Sequence, residues 1–292
     1  MAALASEIEA AAVRNVFPAV AAGTYSTPVY VVGAKQRRVP VTLDTGSWGA
    51  SLRAVLAQGV PIPPRARPAA GTDGHLTVYQ PAKDSLWEFW RAVRRADGWH
   101  ASWGGAMQDV STNAGFYSSS SWRGLRASEG WNWGATASSL PVAAGLVTAK
   151  ELRIGRIEHA LAASTPDACA GIFAWPAQRT DGGRQGADCI PEGALLRLDP
   201  TVDVDALRLP RVARMLAHAA QTYGIIVRDT TSGSFSFYAE DIATAGAAAY
   251  VGKHNIWGGV PAWKALDGFP WRRLQVLAMT LCRTAPCRGR ER

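Results

Sequence analysis

Short runs of alternating apolar and polar residues recur along most of this chain and constrain its fold more than any other feature. A period of two puts successive side chains on opposite faces of a strand. Gly, Pro, Asp, Asn and Ser bound the runs, as is typical of turns. The runs are PVYVVGA, RVPVTLD, HLTVYQ, SLWEFWRAV, GWHASW, RIEHALAAS, GIFAWP, ALLRLD, GIIVRD and SFSFYAE. They predict about ten strands and a mostly β fold, an antiparallel, jelly-roll-like β-sandwich with a few peripheral helices.

Helix signals are few. Thr148 and Glu151 fit a capping box and Gly155 fits a stop, so a short helix is expected between them. A longer helix is predicted over residues 209–224, where apolar residues recur at helical spacing up to Gly224. The longer helix should lie against the sheet.

Three segments are expected along the chain. Residues 1–58 form a helical arm, which the capping box SEIE predicts, and a leading hairpin that turns at GAKQ. Residues 59–255 form the β-sandwich core domain. Residues 256–292 form a carboxyl-terminal helix, with Pro270 in its first turn, and a basic tail.

Composition and charge exclude several classes of protein. Of the 292 residues 48% are hydrophobic, which is enough to bury a substantial core. The formal net charge of +8 comes mostly from arginines spread along the chain, so nucleic acid is not expected as a partner. No run approaches the roughly 18 apolar residues of a membrane span, so membrane insertion is not expected. The amino end has no basic n-region before an apolar core, which predicts that a standard secretory signal is absent.

The four cysteines form two local pairs, Cys169 with Cys189 and Cys282 with Cys287. Neither pair has the spacing or the nearby histidines of a zinc site, so two disulfides and an oxidising compartment are expected. Four buried free thiols are the alternative.

Familiar cofactor and catalytic motifs are missing. The chain has no P-loop, no dinucleotide-binding glycine pattern, no HExxH and no G-x-S-x-G elbow. Its five histidines do not occur at ligand spacing, so no cofactor and no metal are expected. A calcium site has no support in the sequence.

Tryptophans and acids concentrate between residues 83 and 105, which hold four of the twelve tryptophans. If SLWEFWRAV is a strand, Glu88 shares a face with Leu86 and Trp90. Trp103 lies on the returning strand. Sugar rings stack on indoles and carboxylates transfer protons, so Glu88, Trp90 and Trp103 are candidates for a glycan site. A packed aromatic core in which an arginine pairs with Glu88 is an equally good interpretation.

Other candidates lie outside this stretch. His159 alternates with apolar residues in RIEHALA, and such a histidine is more often a hydrogen-bonded core residue than a catalyst. Asp109, in a Trp-rich and Ser-rich loop, is the other available carboxylate. The segment WPAQRTDG between two cysteines is either a turn with a buried tryptophan or a ligand-contacting loop. Its candidate binding residues are Trp175, Gln178, Arg179 and Asp181.

Six segments follow one another between roughly residues 59 and 241. They are TDGHLTVYQPAKDSLWEFWRA, GWHASWGGAM, WGATASSLPVAAGLVTAKELRIGRIEHALA, WPAQRTDG, IPEGALLRLDP and YGIIVRDT. In this order they resemble a widespread family of extracellular proteins from actinobacteria and other soil bacteria. The resemblance implies export and a β-rich fold, and it carries over no reaction. Members usually begin with a signal sequence, and this chain departs from them there, which predicts a non-standard export route or delivery on a virion.

Two functional hypotheses follow. The first is an extracellular glycan-directed protein that binds a cell-envelope or soil polysaccharide and, if it is an enzyme, cleaves it as a glycoside hydrolase or polysaccharide lyase. Glu88 would be the acid or base, Asp109 its partner and His159 an orienting or proton-transfer group. The second is a non-catalytic bacteriophage tail or surface-assembly protein that contacts the actinobacterial cell wall or neighbouring subunits.

Overall fold

The structure, a computed structural model, describes residues 5–6, 19–45, 49–125, 132–252 and 255–289. In this part of the chain the α-helices are α1 (Ala50–Ala57), α2 (Ala149–Ile154), α3 (Arg211–Thr222) and α4 (Ile242–Ala245). The strands are β1 (Ala19–Ala21), β2 (Val29–Val31), β3 (Val41–Leu43), β4 (Leu76–Gln80), β5 (Ser85–Trp90), β6 (Val93–Arg95), β7 (Gly98–Ala101), β8 (Trp103–Gln108), β9 (Leu161–Thr165), β10 (Ala168–Ala174), β11 (Ile190–Glu192), β12 (Leu195–Leu198), β13 (Ile225–Thr230), β14 (Ser236–Tyr238), β15 (Leu274–Val276) and β16 (Leu281–Cys282).

The strands form four mixed sheets, so the prediction of a mostly β fold with few helices is confirmed. The six-stranded sheet has the order β1-β14-β9-β13-β12-β15, and the four-stranded sheet has the order β2-β4-β5-β8. Two three-stranded sheets have the orders β11-β10-β16 and β3-β7-β6. Every sheet contains a parallel pair, such as β9 with β13 or β2 with β4. The expectation of purely antiparallel pairing is therefore wrong, and the jelly-roll order is not confirmed.

Two main hydrophobic clusters divide the interior. One is built from residues between Val32 and Trp133, and it includes α1 and the inner side chains of β4, β5 and β8. The other is built mainly from residues between Val147 and Leu274, where α3 covers the six-stranded sheet. Val20 and Ala22 join the second cluster because β1 pairs with β14. The space between the two clusters is where the candidate site lies.

Local signals predicted two helices correctly. Thr148 caps α2, with reciprocal hydrogen bonds between its side chain and Glu151, and Gly155 ends the helix at φ 91°. In α3 the apolar residues of one stripe are buried, as the helical spacing required. These signals were sufficient because each depends only on residues within a few positions.

The carboxyl-terminal helix is a wrong prediction. Trp271–Arg273 form a single 3₁₀ turn, and β15 follows directly. β15 pairs antiparallel with β12, with Leu274 opposite Leu198. Sheet pairing therefore overrides helix propensity here. The predicted leading hairpin is also wrong, because β2 pairs with β4 and β3 with β7. The predicted amino-terminal helix falls mostly on residues outside the described ones.

Both disulfides are formed as predicted. Cys169 joins Cys189, and Cys282 joins Cys287. Such bonds persist in oxidising surroundings, so they fit a secreted or extracellular protein. None of the described helices combines the length and the apolar character that crossing a membrane requires.

Candidate functional site

A cavity of about 1010 Å³ lies between the two hydrophobic clusters. One wall comes from the amino-terminal half, with Asp73, His75, Trp90 and Trp103. The opposite side comes from the six-stranded sheet and from the loop that follows β10. Clefts where two cores meet are common places for ligand sites, since side chains from distant segments converge there.

A row of cavity-lining residues crosses the six-stranded sheet and forms the floor. Ala19 in β1 lies opposite Ser236 in β14, Ser236 lies opposite Ser164 in β9, and Ser164 lies opposite Asp229 in β13. All four line the cavity. Registered strands thus place one carboxylate and two hydroxyls side by side on a rigid surface.

A register shift in β13 places Asp229 in that row. Val227 lies opposite Ala163 and Asp229 opposite Ser164, so Arg228 is an additional residue in β13. Bulges of this kind re-aim side chains and are frequent beside functional sites. Arg228 is 1% exposed. Its guanidinium donates to the carbonyl oxygen of Val142 and lies 3.9 Å from the centre of the Tyr238 ring.

Three carboxyl groups meet at the floor. One oxygen each from Asp181, Glu192 and Asp229 lies within 4.8 Å of the other two. Asp181 is on the loop after β10, while Glu192 ends β11 and is fully buried. Gly193 follows at φ 87°, and a Cβ there would lie 1.8 Å from the carbonyl oxygen of Ala174. Only glycine therefore lets the chain leave β11 so close to β10.

Burial and the repulsion of neighbouring carboxylates raise the pKa values of Glu192 and Asp229. Burial, followed by the charges of Asp229 and Asp181, raises the pKa of Glu192 to about 9. Burial, followed by the charge of Asp181, raises the pKa of Asp229 to about 7, and Arg228 opposes this shift. Neither oxygen of Glu192 receives a well-formed hydrogen bond in the described part of the chain, and the nearby Thr180 hydroxyl donates to Cys169 instead. A protonated Glu192 resolves the cost of burying this carboxyl.

Arg179 forms hydrogen bonds to the segment at residues 134–139, which lies beside the three carboxyl groups. Its Nε donates to the hydroxyl of Ser139 at 2.9 Å, and a terminal nitrogen donates to the carbonyl oxygen of Thr136 at 2.7 Å. Burial lowers the pKa of Arg179, while the charges of Glu192, Asp229 and Asp181 raise it. The guanidinium thus balances part of the carboxylate charge and holds residues 134–139 in place.

Two half-buried tryptophans form an aromatic wall. Trp90 at the end of β5 lies directly opposite Trp103 at the start of β8. The Trp90 indole donates to Asp73 at 3.2 Å, and the Trp103 indole donates to the carbonyl oxygen of Asn132. The guanidinium of Arg91 lies 4.2 Å from the centre of the Trp90 ring. Fixed indole planes of this kind suit stacking of a flat or ring-shaped ligand.

The three carboxyls have two chemical uses. As carboxylates they would offer oxygen ligands to a hard cation such as Ca²⁺ or Mg²⁺. As an acid and base they would transfer protons, and the raised pKa values of Glu192 and Asp229 favour this use. The guanidiniums of Arg179 and Arg228 also act on these carboxyls, and this positive charge disfavours a divalent cation.

Glu88, predicted as the catalytic acid or base, does not line this cavity. It is 0% exposed, and its two oxygens accept from the backbone N–H groups of Val142 and Ala143 at 2.8 and 2.9 Å. Burial raises its pKa to about 7, and these bonds and the charge of Arg228 lower it. Glu88 is thus packed, as in the alternative interpretation, but its hydrogen bonds come from the backbone at residues 142–143, and Arg228 acts on it through its charge.

Asp109 and His159 are not brought to Glu88 or to the cavity. Asp109 is exposed, pairs with Arg123 at 2.6 Å and lines a separate pocket of about 340 Å³. His159 lies beside α2, with its Nε2 3.0 Å from Glu151. The structure therefore places none of the three predicted catalytic residues in the lining of the cavity.

The pair of His159 and Glu151 predicts a pH-dependent contribution to stability. The hydrogen bond to Glu151 raises the pKa of His159, against burial. A raised folded-state pKa contributes stability below pH 6.5 that is lost as pH rises through the folded value. We expect His159→Gln to lower the free energy of unfolding by about 0.5–1 kcal/mol at acidic pH, because the pair is partly exposed, and by less at alkaline pH. Urea denaturation of both proteins at an acidic and an alkaline pH measures the loss of unfolding free energy. An equal loss at the two pH values would contradict the prediction.

Four of the six predicted binding residues lie at the cavity: Trp90, Trp103, Arg179 and Asp181. Their contact with a glycan stays a prediction. Trp175 is 40% exposed and does not line the cavity. Gln178 is buried and bonds through its amide to both the N–H and the carbonyl oxygen of Cys287, so it fixes the loop to the carboxyl-terminal disulfide.

Sequence reasoning missed four cavity or floor residues: Asp73, His75, Glu192 and Asp229. Each lies in a segment that carries the family resemblance, namely TDGH, IPEG or IVRD. The acidic residues of these segments could have been chosen as candidates, but the sequence analysis favoured the carboxyl of the tryptophan-rich stretch.

No protein-family model, no curated protein and no solved structure matches this chain.

Proposed function

We propose that this protein binds a glycan in the cavity between its two hydrophobic clusters and hydrolyses it there. The observation that carries this proposal is the meeting of Asp181, Glu192 and Asp229 at the floor of a cavity with a tryptophan wall. Indoles stack on sugar rings, and paired carboxyls supply the acid and the base or nucleophile of glycoside hydrolysis.

Asp229 is the general acid in this proposal, and Asp181 is its partner. A raised pKa keeps the proton on Asp229 near neutral pH, so it protonates the leaving glycosidic oxygen. The exposed carboxylate of Asp181 attacks the anomeric carbon. A separation within 4.8 Å suits the retaining mechanism, in which carboxyls lie about 5–5.5 Å apart. Asp229, now a carboxylate, then takes a proton from the water that releases the product.

This assignment predicts the pH dependence of cleavage. Asp229 must be protonated, and its pKa is about 7. We therefore expect kcat/KM to fall by about tenfold per pH unit above that value, as the acid form is lost. A pH–rate profile measures this, and a rate that rises through the alkaline range would contradict it.

Glu192 is a positioning residue, because it is buried behind the pair and does not line the cavity. Its raised pKa makes it neutral at pH 7, and glutamine has the same shape and the same charge. We expect Glu192→Gln to keep cleavage within about tenfold of the unmodified protein and stability within about 1 kcal/mol. Loss of more than about a hundredfold would show that a charged carboxylate is needed there, as in a metal site. The exposed Glu158→Gln is the matched control.

An extracellular location, in secreted form or on a virion, stays part of the proposal. The two disulfides support an extracellular location. The non-catalytic alternative, a bacteriophage tail or surface-assembly subunit, has no observation in its favour at the cavity.

A polysaccharide panel tests the proposed activity. The purified protein is incubated with neutral and acidic plant, soil and bacterial-envelope polysaccharides, including arabinogalactan, and released oligosaccharides are measured. We expect release from at least one polymer. If the protein releases no oligosaccharide and binds no polymer of the panel, the proposal is overturned.

A further inference from the structure

We propose that the sugar unit bound beside Asp181 and Asp229 is uncharged, and that the cavity excludes units carrying a carboxylate, sulfate or phosphate group. This inference rests on the proposed glycan function, and it adds the chemical class of the substrate. It follows from the acidic, basic and hydroxyl side chains that line the cavity.

Among the described residues that line the cavity, acidic groups outnumber cations. Asp73, Asp181 and Asp229 line the cavity, whereas Glu192, directly behind the last two, is neutral at pH 7 and adds no charge. An anionic sugar at this floor would bring a further negative charge into a partly buried cluster. Like charges placed together in such surroundings oppose binding strongly.

The two basic residues of the described lining offset only part of this charge. Arg179 uses its Nε and one terminal nitrogen on Ser139, Thr136 and Gly134 of the neighbouring wall. His75 is buried, and burial lowers its pKa to about 4, so it is neutral at pH 7. Among the described lining residues the one guanidinium, that of Arg179, therefore has its Nε and one terminal nitrogen engaged with the wall, so this edge is not offered as a bidentate fork to a carboxylate or sulfate.

Hydroxyl groups suit a neutral sugar instead. Short hydroxyl side chains make up much of the remaining lining, on both sides of the carboxyls. They include Thr24, Thr72, Ser164, Thr231 and Ser232. Each can donate and accept one hydrogen bond or more with sugar hydroxyls, and Trp90 and Trp103 offer ring faces to the apolar side of a pyranose or furanose.

The charge of the cavity is opposite to that of the whole molecule. The chain carries a formal net charge of +8, which attracts it to acidic surfaces such as cell envelopes. Attraction to an anionic polymer and selection of the unit at the floor are thus separate properties. The protein can associate with an acidic envelope and still select a neutral unit from it.

Matched oligosaccharides test this inference. Oligomers of galacturonate, glucuronate and mannuronate are each compared with the same oligomer after reduction of its carboxyl groups. Binding to the unmodified protein is measured by calorimetry at about pH 8.5, where Asp229 is ionised and the proposed acid is lost. We expect at least one reduced oligomer to bind about tenfold or more tighter than its acidic parent.

Two variants show whether the cavity causes the difference. The gap is the ratio of the affinity of the reduced oligomer to that of its acidic parent. Asp181→Asn should reduce this gap about threefold or more, because it removes a charge that lines the cavity. Asp205→Asn, which changes an exposed carboxyl paired with His218 on α3, should leave the gap unchanged. Tighter binding of an acidic form, or a gap that Asp181→Asn does not change, would overturn this inference alone. Absence of binding by every oligomer in both forms would also overturn this inference, while the glycan proposal is judged separately by the polysaccharide panel.

Discussion

Asp229→Asn is expected to lower the rate of glycan cleavage by about 10²–10⁴-fold, the usual contribution of a positioned acid. Asparagine keeps the shape of aspartate and the place opposite Ser164 in the bulged strand, but it has no proton to give to a leaving oxygen. Asp229 contacts the cavity and lies near Asp181, so the loss should fall on kcat while glycan affinity stays largely intact.

A matched surface change separates this effect from a general loss of charge. Asp205→Asn removes one carboxylate from an exposed ion pair and should leave cleavage unaffected. Thermal unfolding of both variants shows whether the fold is intact. A folded Asp229→Asn protein that cleaves at the normal rate would remove Asp229 from the mechanism.

Glu88→Ala is expected to lower the free energy of unfolding by about 3–5 kcal/mol, the usual cost of removing one member of a buried charged network. It would leave the N–H groups of Val142 and Ala143 without their acceptor oxygens and would open a void beside β5. Arg228 would also lose a nearby opposite charge. These contacts join β5 to the segment at residues 142–143.

Guanidinium chloride denaturation measures this loss. Glu88→Gln keeps the shape but offers one acceptor oxygen for two donors, so about 1–3 kcal/mol is expected. Glu158→Ala, at a carboxyl that is 61% exposed, serves as the control and should change stability by less than about 0.5 kcal/mol. Glu88→Ala at unchanged stability with lost cleavage would favour the catalytic role first predicted for this residue.

Features that depend on neighbouring residues could be predicted from the sequence. The capping box of α2, the stripe of α3 and the two short-range disulfides are of this kind. The tryptophans divided between the two interpretations: Trp87 and Trp99 are buried in the core, whereas Trp90 and Trp103 line the cavity. The alternation of side chains along the strand could not distinguish buried from cavity-lining tryptophans, because both faces of β5 are covered by other parts of the protein.

The floor of the site depends on long-range pairing that no local pattern specifies. Asp229 reaches the cavity because Arg228 is an additional residue in β13, and a regular strand would turn it away. Glu192 comes from β11, which pairs in parallel with β10, and the loop that connects these two strands carries Asp181. Parallel pairing of segments far apart in sequence therefore decides which acids meet.

A structure of the Asp229→Asn protein with a bound oligosaccharide, taken from a polymer that the unmodified protein cleaves, tests the central claim most directly. We predict a sugar ring against Trp90 or Trp103 and a glycosidic oxygen about 3 Å from the side chain of residue 229, the reach of a proton donor. The anomeric carbon should face Asp181. An oligosaccharide seated elsewhere, for example in the pocket of Asp109 and Arg123, with the cavity between the two clusters left open, would contradict the account.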